Sequence, residues 1–414
     1  MEQIDLTFLH GESSLSVRSF RIREELSKPF RIDVVAVAPS ADIDFEELIG
    51  QPLRVRLSSG GGPLGASARR WSGICSHCEQ TRAEPGGLST YELTIVPRLW
   101  LMKRRRNHRL FQHLSVLDVA AQLLEEWGIE RDLRAARRTH PTLELRVQYG
   151  ESDYDFFSRL LEEAGITFHF RDDEERGSVV VLSDEPHLVD PRPEPLPFVD
   201  DPVLAQVAAT EYCTDVRLRR ELRAGRVVLR DFDFRKPSYQ LMARAASSGG
   251  PEAELEQYHY LPGSFVTEGH EPGDTPAADD RGVARADELA GRDLASRILE
   301  GERARRRVVA FRSNAFDLSP GTTLMISGHP RAEIAATAKL LLVEFDIHGV
   351  VAAEEPWEAS GSAVFTDVAY RPTPSTPKPR IQGVQSAVVV GPEGETVYTD
   401  EFGRVRVQFH WDRE

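Results

Sequence analysis

Along most of this chain apolar and polar residues alternate in short runs separated by Pro, Gly and Ser clusters. Ile4 to Leu9, Ser16 to Ile22, Phe30 to Ala38, Leu53 to Leu57, Trp71 to Glu79 and Tyr91 to Val96 follow one another in this way. Their spacing predicts a small barrel or sandwich over residues 1–105. Helical spacing then replaces alternation twice. Ser115 with Asp118 three residues on forms a capping pair ahead of Val116, Ala120, Leu123, Leu124 and Trp127, and Gly128 supplies the stop. Ser152 and Asp155 repeat the device before Phe157, Leu160, Leu161 and Ala164, with Gly165 as the stop. On that second helix Arg159 and Glu163 are one turn apart and are expected to pair. Ile166, Phe168 and Phe170 then alternate with Thr167, His169 and Arg171, and the turn DDEERG returns the chain through Ser178 to Leu182 as a hairpin. Residues 106–185 thus read as a helix and hairpin insertion.

The five prolines from Pro186 to Pro197 predict an extended surface connector. Strand runs resume at Val203 to Tyr212, Thr214 to Leu222, Arg226 to Phe234 and Glu256 to Leu261. After a polar loop from Pro262 to Gly282 they continue at Arg307 to Phe311, Thr323 to Ser327, Ala338 to Ile347 and Ala363 to Tyr370. One helix interrupts them, with Ala286, Ala290, Leu294 and Ile298 four apart and Gly291 as a weak point costing ~1 kcal/mol against Ala. Residues 186–371 form a second β-rich half, and the prolines of 372–380 make a semi-rigid linker. Beyond it, Val405, Val407, Phe409 and Trp411 alternate with Arg404, Arg406, Gln408 and His410. Tyr398 lies in a short preceding strand, Thr396 to Thr399, and Asp400 to Gly403 supply the turn of a hairpin. Residues 381–414 are therefore expected to be a domain only begun.

Composition narrows the function. A net charge of −15 argues against a general nucleic-acid binder. Three cysteines make no disulfide framework, so a reducing cytoplasm is the expected place of synthesis. No run reaches the ~18 apolar residues that span a bilayer, and the acidic start MEQIDLTFLHGESS is no secretory signal. Cys75 and Cys78 have zinc-ligand spacing around His77. On a regular strand, however, Cys75 and His77 face one way and Cys78 the other, and no second ligand pair follows, so no metal is expected. Asp231 and Asp233 could in principle hydrolyse a glycosidic bond, but with Arg235 beside them they read as a solvated strand face. The basic runs Lys103 to Arg109 and Arg303 to Arg307 lack interleaved aromatics for base stacking and read as protein contacts or solvated faces. GGGPLG at 60–65 is not placed between a strand and a helix and reads as a loop. His410, Asp412 and Arg413 have no nucleophile beside them.

The run KPRIQGVQSAVVVGPEGETVYTDEFGRVRVQFHWDRE resembles the segment in which VgrG spike proteins of type VI secretion systems pass into their OB-fold domain. FQHLSVLDVAAQLLEEWGI, QYGESDYDFFSRLLEEAGITFHF, LRDFDFRKPSYQL and YHYLPGSF occur upstream in the family's order. The resemblance implies an α+β, mainly β fold: two similar β-barrel tube domains around the helical insertion, then the start of an OB-fold. It implies a structural hub, a homotrimer on an Hcp-like tube among baseplate proteins, with no cofactor and no catalytic residue. The family's motif falls on Tyr398, Asp400, Gly403, Arg404, Val405, Val407, Phe409, His410, Trp411 and Asp412. Such a protein would assemble on a baseplate and leave the cell without a signal peptide. Spike-tip proteins or effectors would attach through a C-terminal region that this chain lacks. The alternatives are a hub of a phage-type or extracellular contractile system with peptidoglycan hydrolase activity, and a binding module for saccharide or single strands.

Overall fold

The computed structural model describes residues 3–9, 13–58, 68–201, 211–232, 238–245, 249–265, 288–335, 338–351, 357–392, 394, 399 and 405–413. The first half contributes β1 (Gln3–Phe8), β2 (Ser16–Glu25), β3 (Arg31–Ala38), β4 (Pro52–Ser58), β5 (Ala68–Arg82) and β6 (Ser89–Val96). The insertion follows as β7 (Arg106–Ser115), α1 (Val116–Glu126), β8 (Arg131–Ala135), β9 (Thr142–Ser152), α2 (Asp153–Ala164), β10 (Thr167–Asp173) and β11 (Gly177–Ser183). The second half begins with β12 (Leu196–Pro197), β13 (Cys213–Arg220), β14 (Arg226–Asp231), β15 (Leu241–Arg244) and β16 (Glu256–Tyr260). It continues through α3 (Glu288–Ala304), β17 (Arg307–Ser313), β18 (Thr323–Leu324), β19 (Ile326–Ser327), β20 (Leu340–Val350) and β21 (Glu358–Phe365). Two short strands close the chain, β22 (Ala387–Val390) and β23 (Arg406–Phe409).

The two halves share one eleven-stranded sheet, ordered β1-β4-β5-β6-β3-β2-β20-β21-β17-β13 with β18 on β20. The seam is antiparallel, with Ile22 opposite Ile347 and Phe20 opposite Gly349. β2 shows how its sequence builds the sheet. Phe20 and Ile22 alternate inward between exposed arginines, and a bulge at Val17/Ser19 brings Val17 back to the buried face. The core under this sheet runs through both halves, from Phe30 and Tyr91 to Phe345 and Phe311. Leu196, in the proline-rich connector, belongs to that core, and β12 pairs with β19. The connector is therefore built into the fold rather than laid over its surface.

The insertion has its own core of Phe156, Phe157, Leu123, Leu124 and Phe168. Both predicted caps form. Ser115 and Asp118 make a reciprocal capping box, Ser152 accepts from the Asp155 amide, and Gly165 ends α2 at φ 70°. Arg159 finds a different main partner from the one expected: its guanidinium forks onto Glu151 at 2.6 and 2.8 Å, both side chains buried, while Glu163 stands at 4.0 Å. The hairpin β10–β11 fastens the insertion to the first half through Phe170 on Phe30 (5.2 Å between ring centres) and Ser72 Oγ donating to Asp172 at 2.9 Å.

In the second half α3 packs on the sheet β15-β14-β16. Its buried positions include Gly291, Ala295 and Leu299, one residue on from the predicted stripe, with Leu294 and Ile298 at the margin and Ala286 outside the described residues. The reason is Phe265, whose ring lies against Gly291 so closely that an added Cβ would stand 2.2 Å from it. Gly291 is thus the seat of an aromatic ring rather than a weak point in the helix.

Candidate functional site

The terminal motif forms a two-stranded ribbon. β22 and β23 pair antiparallel, Val389 opposite Val407 and Ala387 opposite Phe409. The observed partner of the last strand is therefore Ala387–Val390. The expected hairpin through Tyr398, Asp400, Gly403 and Arg404 lies outside the described residues apart from Thr399. Val405 and Val407 are exposed, at 50% and 41%. The valine face that alternation predicts is present, and among the described residues no second sheet covers it. Strand geometry ends at Phe409, where the Asp412 amide closes a turn onto the Phe409 carbonyl at 3.0 Å.

That turn brings Trp411 parallel to Phe409, with ring centres 5.1 Å apart, and lays it against the insertion. His108 on β7 and Tyr149 on β9, themselves an edge-on pair at 4.8 Å, each stand 5.7 Å from the Trp411 ring. The indole N–H donates to Gln385 at 3.0 Å, Gln385 donates to the Tyr149 hydroxyl, and Arg413 donates to Asn107 at 2.6 Å. His410 points outward as predicted. The seat is not legible in the sequence because Lys103 to Arg109 reads as a basic run and no strand is expected ahead of the Ser115 cap, whereas Arg106–Ser115 is a strand paired with β9.

The other candidate chemistries resolve into structural roles. A bulge between Cys75 and His77 places Cys75 opposite Ile95 and Cys78 opposite Leu93. Both thiols therefore project from the same face, not from opposite faces as regular alternation predicts. Burial pushes the Cys75 thiol up to about 12 and that of Cys78 to about 11, so neither is a ready thiolate. Among the described residues no group of three His, Cys, Asp or Glu side chains is placed to hold a metal.

Asp231 is 3% exposed and accepts from the backbone amides of Phe232, Gly263 and Phe265 at 2.7, 2.9 and 3.0 Å. It is a buried anchor for the segment carrying Phe265 and not a solvated strand face; Asp233 and Arg235 lie outside the described residues, as does 60–65. The first basic run is consumed internally. Lys103 stacks on Tyr154, Arg104 on Trp100 and Arg105 on Trp127, while Arg109 pairs with Glu126 at 2.7 Å. In the second, Arg303 and Arg306 share Glu252, Arg305 bridges Glu25 and Glu344, and Arg307 pairs with Glu333 and Asp367. Burial alone would raise the Glu252 carboxyl, but the Arg223 amide and the two guanidiniums hold it below its usual range.

The profile of the phage tail baseplate hub (GPD) family matches residues 23–352, which takes in the insertion and most of the large sheet, leaving out β1, most of β2 and β21. The type VI secretion system spike protein VgrG1b of Pseudomonas aeruginosa is 31% identical over 417 residues, covering 97% of this chain and 52% of that protein. VgrG4b of the same organism is 35% identical over 419 residues, covering 97% of this chain and 48% of its own length. The chain thus spans about half the length of the curated relatives it matches. In structure it is similar to the Escherichia coli c3393 protein, described as a component of the type VI secretion system resembling the T4 phage tail proteins gp27 and gp5. That match has a TM-score of 0.68 at 18% identity, over 99% of this chain and 91% of that one. With the profile covering most of the shared sheet and the whole insertion, this chain belongs to the phage tail baseplate hub family.

Proposed function

We propose that the chain is the hub of a type VI secretion spike. Residues 1–105 and 186–371 serve as its two tube domains, 106–185 as the insertion, 372–380 as the linker, and 381–414 as the opening of an OB-fold spike domain. Three copies close into a ring whose two halves per chain present six similar units to an Hcp-like tube. Tyr398, Asp400, Gly403, Arg404, Val405, Val407, Phe409, His410, Trp411 and Asp412 act structurally, as the first hairpin of the spike domain, and the exposed Val405 and Val407 are the face that the rest of that domain would cover. The chain works by shape and contact rather than catalysis, and the whole spike punctures target cells and delivers effectors. It is made in the bacterial cytoplasm, assembled on the baseplate and released through the injection machinery; among the described residues no helix is long and apolar enough to cross a membrane.

The observation that carries this reading is the single sheet shared by two β-rich halves, most of it covered by the hub-family profile. The test is to mix the purified chain with the tube protein of its own secretion system and image the products. Threefold particles seated on the end of sixfold rings support the proposal. Free rings and unassembled chains at micromolar concentration of both would overturn it. The burial of Asp231 speaks against the hydrolase alternative, which needs that carboxylate open to substrate.

A further inference from the structure

The proline-rich run between the body and the terminal ribbon carries polar contacts that a passive spacer does not need. At its start Arg371 is only 6% exposed; its Nε donates to Glu300 on α3 at 2.8 Å and its Nη1 to the Asp184 carbonyl at the end of β11. Four residues on, one carboxylate gathers four donors. The Ser375 amide reaches Glu162 at 2.7 Å and its hydroxyl at 3.1 Å, and the Thr376 amide and hydroxyl each reach it at 2.8 Å. Glu162 stands on α2, whose other face is packed into the insertion core. Pro372, Pro374, Pro377 and Pro379 fix φ on both sides of this contact, so a chain held at Ser375 and Thr376 has little freedom left to swivel.

From this geometry we infer that 371–376 is a clamped strap which sets the orientation of the terminal ribbon relative to the body, with Glu162 as its catch. No strand of the ribbon pairs with a described strand of the body. Direction is therefore transmitted through the strap and through the seat of Trp411 on His108 and Tyr149. A Ser-Thr pair between prolines suits the catch. Two consecutive amides and two hydroxyls converge on both carboxylate oxygens, and hydrogen bonds to a charged acceptor are about twice as strong as neutral ones. Glutamine in place of Glu162 would leave one good acceptor and turn a donor toward the other pair.

The test combines hydrogen exchange with a distance measurement on the whole chain. In the unsubstituted protein the Ser375 and Thr376 amides exchange slowly although they lie outside any helix or strand. Glu162→Ala speeds them about tenfold or more, and α2 keeps its own protection, which shows that the helix is intact. Spin labels at Val384→Cys, a fully exposed position, and Glu125→Cys on α1 give a narrow distance distribution that broadens in Glu162→Ala. Ser375→Ala with Thr376→Ala removes only the hydroxyl donors and gives an intermediate result. Amides that exchange at the unprotected rate before substitution would overturn the inference. So would a distance distribution that Glu162→Ala leaves unchanged.

Discussion

Replacing Asp231 separates a buried anchor from a surface or catalytic carboxylate. In Asp231→Ala three backbone amides lose their acceptor. Phe232 is 51% exposed and Gly263 is exposed as well, so their amides can turn to water, but Phe265 is fully buried. One stranded donor gives a loss of about 1–3 kcal/mol. Because Asp231 holds the segment that presses Phe265 onto Gly291, the damage should concentrate in the packing of α3 on β14 and β15. The assay is urea unfolding followed by intrinsic fluorescence, with hydrogen exchange of Val227 to Leu229 and Ala295 to Leu299 as the local readout. Asp231→Asn keeps one acceptor and should lose about half as much. A loss under about 0.5 kcal/mol for the alanine variant, the range of neutral surface changes, would refute the anchoring argument.

Three further perturbations follow from the packing. Gly291→Ala gains ~1 kcal/mol on helix propensity alone, yet the Phe265 ring at 2.2 Å makes it destabilising by about 1–3 kcal/mol in thermal or urea unfolding; a more stable variant would contradict the ring-seat account. His169 is lowered from 6.5 to about 4, chiefly by burial and then by Arg171, and its Nδ1 is shut away without a partner. Between pH 6.5 and 4 the unfolded chain therefore takes up a proton that the native ring refuses. Stability falls as pH falls through that window, by about 3 kcal/mol, and a stability profile of His169→Phe that keeps the same slope there would exclude this ring as the cause. Trp411→Ala should speed exchange in β22 and β23 while leaving the unfolding midpoint of the body unchanged; a lowered body midpoint would mean that the ribbon is part of the main core.

What could be seen in the sequence was local. The capping pairs at Ser115 and Ser152, the stop at Gly165 and the strands of the first half depend on neighbours a few residues away, and the structure places them as expected. What could not be seen depends on partners distant in the chain. The seam of β2 on β20 sets the joint between the halves, and nothing in either strand alone names the other. Gly291 looked like a flaw because Phe265, its reason for being glycine, comes from a different segment. The bulge at Cys75/His77 reverses one side chain, and alternation cannot anticipate an inserted residue. The basic run Lys103 to Arg109 reads as a protein contact or solvated face because its partners, Glu126 and Trp127 at the end of α1 and Tyr154 on α2, are distant in the chain. The terminal face was legible as apolar, and its seat on His108 and Tyr149 was not.

The trimeric hub is the central claim, and mass in solution tests it most directly. Multi-angle light scattering of the purified chain through a dilution series is predicted to give three times the 46.4 kDa chain mass, held on dilution through the micromolar range. A mass of one chain at every concentration would contradict it.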